Sequence, residues 1–179
     1  MSENVNYFDV SSNLNWDEYF MLQAIVASFK SKDPTRKVGA VFVDNKNHLI
    51  SMGYNGFIAG LDETKLPWGK DESQPLEHRK HGYVVHAETN ALLHSPASRD
   101  RMEGARLYVT LFPCNECAKL VASLKIKEII FISDRHSHKE YNRISKRIFD
   151  LAGITYRKLE MGEGMVGRFN EHFDETLKA

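Results

Sequence analysis

Near the start of the chain, apolar side chains recur mostly at three- and four-residue steps: Tyr19, Phe20, Leu22, Ile25, Val26 and Phe29. That is the spacing of one helix face. Asn15 precedes the run and Glu18 follows three positions later, the two halves of a capping box, so a helix with that face buried is expected over 16–29. Pro34 disfavours helical geometry at Asp33 and closes the segment. The pattern then turns β-branched and continuous over 38–43, crosses turn residues at 44–47 and resumes at 48–52, which predicts a hairpin. A stretch rich in Gly, Pro and charge runs from Gly53 to Gly82, long enough for a functional loop. Beyond it the chain reads as helix from His86 to Leu93, a polar connection over 95–104, strand 107–112, helix 114–124, strand 128–132, helix 139–151 closed by Gly153, and strand 154–159. Periodicity leaves the tail from Glu160 undecided. The alternation of strand and helix from residue 107 predicts a three-layer α/β domain with a partly parallel sheet.

Composition narrows the picture. A chain of 179 residues makes about one domain, expected over 15–160, with a loosely held segment at 1–14 and a tail at 161–179. Lys plus Arg and Asp plus Glu are 24 each, for a formal charge of zero. This argues against binding to a nucleic-acid polymer, which needs clustered cations to release counterions. The start has no basic segment followed by an apolar one, and no run approaches a membrane span, so the expectation is a cytoplasmic protein. Cys114 and Cys117, three apart, are the only cysteines, a spacing for metal or redox chemistry and not for a disulfide framework.

His86-Ala87-Glu88 lies at one predicted helix start, and Pro113-Cys114-Asn115-Glu116-Cys117 at the turn from a strand into another. Two thiolates and an imidazole are three ligands of a tetrahedral zinc with the fourth position left for water. The start of a helix favours thiolates there. Glu88 is then a proton shuttle and not a ligand, which makes the reaction class hydrolytic deamination. A redox pair or half of a structural knuckle would account for C-x-x-C alone. The histidine and the absence of further cysteines favour the catalytic site, and His78, His81 and His94 read as solvated.

H-x-E followed by P-C-x-x-C is the signature of zinc-dependent nucleobase deaminases. With SKDP and VGA, GYNG at 53–56, LPW at 66–68, HAETNAL at 86–92, LFPCNECAKL at 111–120 and IKEIIFISD at 126–134, the chain resembles the deoxycytidylate (dCMP) deaminase family over most of its length. The resemblance implies a cytidine deaminase-like three-layer α/β/α fold with a five-stranded mixed sheet and one catalytic zinc per subunit. It implies conversion of dCMP to dUMP and ammonia, which feeds thymidylate synthesis. His86, Cys114 and Cys117 would hold zinc, Glu88 would shuttle protons, and Asn55 and Ala87 would meet the substrate. Gly53, Tyr54, Asn55 and Gly56 would help form a regulatory site for dCTP, an activator, and dTTP, an inhibitor, with Mg2+ accompanying the regulatory nucleotide, in a homo-oligomer with a hexamer favoured. Where relatives often carry a proline and a tyrosine, this chain has Ile58 and His136. Alternatives are a deaminase of dCTP or of a 5-substituted dCMP, and a nucleotide-sensing oligomer without turnover. Arg36, Lys37, Lys139 and Arg143 are candidate phosphate contacts, and 61–80 reads either as a lid or as a subunit contact.

Overall fold

A computed structural model describes residues 13–96 and 98–178. Most of the expected N-terminal segment 1–14 lies outside them. Helix α1 (Trp16–Ser28) is capped as the sequence requires: the Asn15 side chain accepts from the Asp17 and Glu18 amides, and Glu18 reaches back to the Asn15 amide. Strands β1 (Gly39–Val43) and β2 (Leu49–Tyr54) form the hairpin. After them come β3 (Gly56–Phe57) and β4 (Val84–Val85), which pair with each other, then α2 (Ala87–Leu93), the short α3 (Arg99–Met102) and β5 (Arg106–Leu111). Helix α4 (Asn115–Ser123), β6 (Glu128–Ser133), α5 (Glu140–Ala152), β7 (Thr155–Lys158) and α6 (Glu163–Lys178) complete the order.

The main sheet runs β2-β1-β5-β6-β7, antiparallel on the β2 side and parallel from β5 to β7. Successive side chains of a strand point to opposite faces, and here both faces are covered. Ala40, Phe42, Leu107, Val109, Ile129 and Phe131 join Ala87, Ala91, Ala118, Val121 and Phe149 from α2, α4 and α5 in one core. Val41, Val43, Tyr108 and Ile130 join Phe20, Met21 and Ala24 of α1 in the other. The three-layer α/β/α architecture with a five-stranded mixed sheet is therefore present.

Three expectations need correction. Helix α1 buries Phe20, Met21, Ala24, Ala27 and Ser28, while Tyr19, Val26 and Phe29 of the expected stripe are exposed. The reason is close approach: a Cβ on Gly39 would lie 1.8 Å from the Ala24 carbonyl oxygen, so the helix meets β1 through Ala24, with Phe20 and Met21 packed beside it on Val41 and Val43. Gly53 and Tyr54 belong to β2 and not to the loop that follows. The 95–104 connection contains α3, and the undecided tail contains α6, which Met165 and an ion pair from Arg168 to Glu18 attach near α1.

Candidate functional site

The site lies where β4 enters α2 and β5 enters α4. His86 is the N-cap of α2 and Cys114 the N-cap of α4, which sets Cys117 in that helix's first turn. The result is local: His86 Nδ1 is 3.3 Å from Cys114 Sγ and 3.4 Å from Cys117 Sγ. The three ligand atoms lie within 4.8 Å of one another, and no other cluster of three or more metal-ligating side chains occurs among the described residues. His78, His81 and His94 join none. One imidazole nitrogen and two sulfurs converging on one point, with no fourth protein ligand, is a donor set that fits tetrahedral zinc with an open position.

The electrostatics show how strongly these groups interact. Hydrogen bonds from Cys117 and His86 outweigh burial and lower the Cys114 thiol to about 4. The hydrogen bond to Cys114 raises His86 to about 9 against the opposing effect of burial. The Cys117 thiol is pushed up by donating to Cys114, by burial and by the neighbouring charges. Such a set accommodates a cation, which lets both sulfurs be thiolates. Thr89 Oγ1 is 3.8 Å from Cys117 Sγ. Glu88, in the first turn of α2, is 4% exposed and its carboxyl is pushed up by burial.

His86, Glu88 and Cys114 line a cleft of about 800 Å³, a volume in the range of small-molecule sites. Ala87 and Asn55 also line it. Of the four candidate phosphate contacts, Arg36 and Lys139 reach the cleft, while Lys37 and Arg143 are not among its lining and the Arg143 guanidinium donates to the His138 carbonyl at 2.8 Å. Sequence reading missed Lys70, Arg79 and Arg135, which also line it. Among the described residues Arg36, Lys70, Arg79, Arg135 and Lys139 make no ion pair, unlike Lys80, which pairs with Asp33. The local field is positive enough to affect the histidines: His136 is lowered by burial and then by Arg135, His138 and Lys139, and His81 by burial and then by Lys80 and Arg79. His136 lies 6.2 Å, ring to ring, from Tyr141 on the same wall.

The GYNG segment divides by residue. A Cβ on Gly53 would lie 2.3 Å from the Ala91 amide nitrogen, so this glycine lets α2 pack on β2. The Tyr54 carbonyl accepts from Asn90 at 2.8 Å, and its ring is part-exposed. Gly56 pairs with Val85. Asn55 is buried and held by hydrogen bonds at both ends of its amide. Segment 61–80 packs Trp68 on Phe57 at 4.1 Å between ring centres and contributes Lys70, Glu72, Arg79 and Lys80 to the cleft wall.

The family model for the cytidine and deoxycytidylate deaminase zinc-binding region matches residues 14–133. A Drosophila melanogaster protein named as a probable deoxycytidylate deaminase is 43% identical over 150 residues, 81% of this chain and 72% of its own. The human deoxycytidylate deaminase is 41% identical over 145 residues, 81% of this chain and 80% of its own. The crystal structure of a dCMP deaminase from cyanophage S-TIM5 in complex with dCMP and dUMP superposes with a TM-score of 0.61 at 25% identity, covering 79% of this chain and 95% of that one.

Proposed function

The chain belongs to the cytidine and deoxycytidylate deaminase family, and from that premise we propose that it hydrolyses dCMP to dUMP and ammonia. The observation that carries the reading is a buried carboxylate, Glu88, beside the His86–Cys114–Cys117 cluster in one nucleotide-sized cleft. His86, Cys114 and Cys117 would hold zinc, which supplies the Lewis acidity that makes water a nucleophile near neutral pH. Glu88 takes a proton from the attacking water and passes it to the ring nitrogen N3. It then takes the remaining hydroxyl proton and gives it to the departing amine, so that the C4–O bond forms, the C4–N bond breaks and ammonia leaves. Burial supports this role, because a carboxyl raised above its usual range exchanges protons more readily at neutral pH.

Asn55 and Ala87 would contact the nucleoside, and cations on the cleft wall would contact its phosphate. Regulation by dCTP and dTTP, a hexameric assembly and supply of dUMP to thymidylate synthesis complete the proposal. They rest on the resemblance to the family, and within GYNG Gly53 packs on α2 while the Tyr54 side chain is exposed. Incubation of zinc-loaded protein with dCMP, dCTP and 5-methyl-dCMP in parallel, with products resolved by chromatography, tests the substrate. Formation of dUMP from dCMP is expected, and turnover of the triphosphate alone would reassign it.

A further inference from the structure

The Lys80 side chain is 8% exposed, and its ammonium ends on Asp33, itself 2% exposed, 2.8 Å from Oδ1 and 2.6 Å from Oδ2. A buried ion pair is weak in net stability, since desolvation offsets much of the attraction. This one lies in the cleft wall beside Asn55. Asp33 Oδ1 also accepts from the Thr35 amide at 2.8 Å, the Thr35 hydroxyl at 2.9 Å and the Arg36 amide at 3.0 Å, which fixes the turn after α1. Oδ2 accepts from Asn55 Nδ2 at 3.2 Å.

Those contacts decide which way the Asn55 amide points. An ionised carboxylate only accepts and a backbone amide only donates. Asn55 Nδ2 must therefore face Asp33 Oδ2 and the Arg36 carbonyl at 2.9 Å, and Oδ1 must face the Val38 amide at 2.7 Å. Both amide hydrogens are used, and what remains for a ligand is the second lone pair of Oδ1. Lys80 belongs to the segment between β3 and β4, where its own amide donates to the Gly69 carbonyl at 2.8 Å.

We propose that Lys80 is a positioning residue: by holding Asp33 buried and ionised it fixes Asn55 as a hydrogen-bond acceptor for a sugar hydroxyl of the nucleotide, and so couples the seating of segment 57–82 to sugar recognition. The inference rests on the reading of the cleft as a nucleotide site. Without Lys80, Asp33 becomes a buried lone carboxyl that protonates or moves; the Oδ2 acceptor for Asn55 Nδ2 and the turn that aims the Arg36 carbonyl at the same nitrogen are lost together, and Asn55 Oδ1 is no longer held toward the ligand.

The test compares kcat/KM for dCMP and for 2′,3′-dideoxycytidine monophosphate, which lacks the hydroxyl, in zinc-loaded wild type, Lys80→Arg and Lys80→Met. Wild type is expected to prefer dCMP by about tenfold, the worth of one hydrogen bond to an otherwise unpaired acceptor. Lys80→Arg should keep most of that preference, and Lys80→Met should bring the ratio near one. A purely structural lysine would slow both substrates equally, so a wild-type ratio in Lys80→Met overturns the proposal, as does a wild-type enzyme without preference. Should Lys80→Met fail to fold, Lys80→Met/Asp33→Asn removes both charges and keeps an acceptor at Oδ1. It is expected to fold, to hold zinc and to lose the preference, and retention of the preference overturns the proposal. A zinc-loaded wild type that turns over neither nucleotide contradicts the deaminase reading instead. The role of Lys80 is then read from the binding ratio of the same two nucleotides, in which equal ratios in wild type and variant overturn it.

Discussion

At Glu88, burial raises the carboxyl while the work assigned to it is the transfer of two protons per turnover. Replacing Glu88 with Gln keeps the volume and removes the exchangeable proton, so zinc content should be unchanged while turnover falls by about a thousandfold, the usual worth of a general acid-base group. Metal analysis alongside product formation checks this, and an active Glu88→Gln protein removes the residue from the mechanism. Cys117→Ala differs in kind, because it deletes one of the three proposed zinc ligands. Loss of metal and a lower melting temperature are expected together, and a fully metallated variant would contradict the assignment. These residues were legible in the sequence because each half of the motif is local: His86 and Glu88 share a helix start, as do Cys114 and Cys117. The Lys80–Asp33–Asn55 network was not, since its members are 47 and 22 positions apart and meet only through the fold.

At the scale of elements, the hairpin, the strand-helix alternation and the caps followed from pattern, turn residues and local side-chain reach. The buried face of α1 did not, because apolar spacing does not report that Gly39 lets a helix backbone approach within contact of β1. The same logic separates two glycines that motif reading treats alike. Gly53→Ala places a Cβ against the α2 backbone and should destabilise the protein by about 3 kcal/mol in urea unfolding. Gly56→Ala, whose nearest contact would be a Tyr54 ring atom at 3.9 Å, should cost far less. Equal effects would contradict the packing account. The turn after α1 provides a pH signature. Burial raises the Asp33 carboxyl, but hydrogen bonds from Lys80 and Thr35 outweigh it and hold it below its ordinary 3.8. A depressed carboxyl stabilises the fold above that value and loses its contribution as the pH falls below it. Wild type should therefore be more stable than Asp33→Asn at neutral pH, with the gap closing on acidification below 3.8. A constant gap would contradict the assignment.

Over the whole molecule, neutral net charge conceals a cleft wall that gathers Arg36, Lys70, Arg79, Arg135 and Lys139, interleaved with Glu72 and Glu116, from segments far apart in sequence. Composition could exclude a large basic surface but could not find a pocket assembled from residues 36, 70, 79, 135 and 139. No helix among the described residues is long and apolar enough to cross a membrane. The site sits at one end of a sheet covered on both faces, at the starts of two helices whose other contacts are core. A metal held at that junction would tie α2 to α4.

The most direct test of the central claim is to give dCMP to the zinc-loaded protein and to its Glu88→Gln variant, following dUMP and ammonia together. Equal amounts of both products from the wild type, and almost none from a variant that still holds zinc, is the expected result. Intact dCMP in the presence of a fully metallated wild-type protein would contradict it.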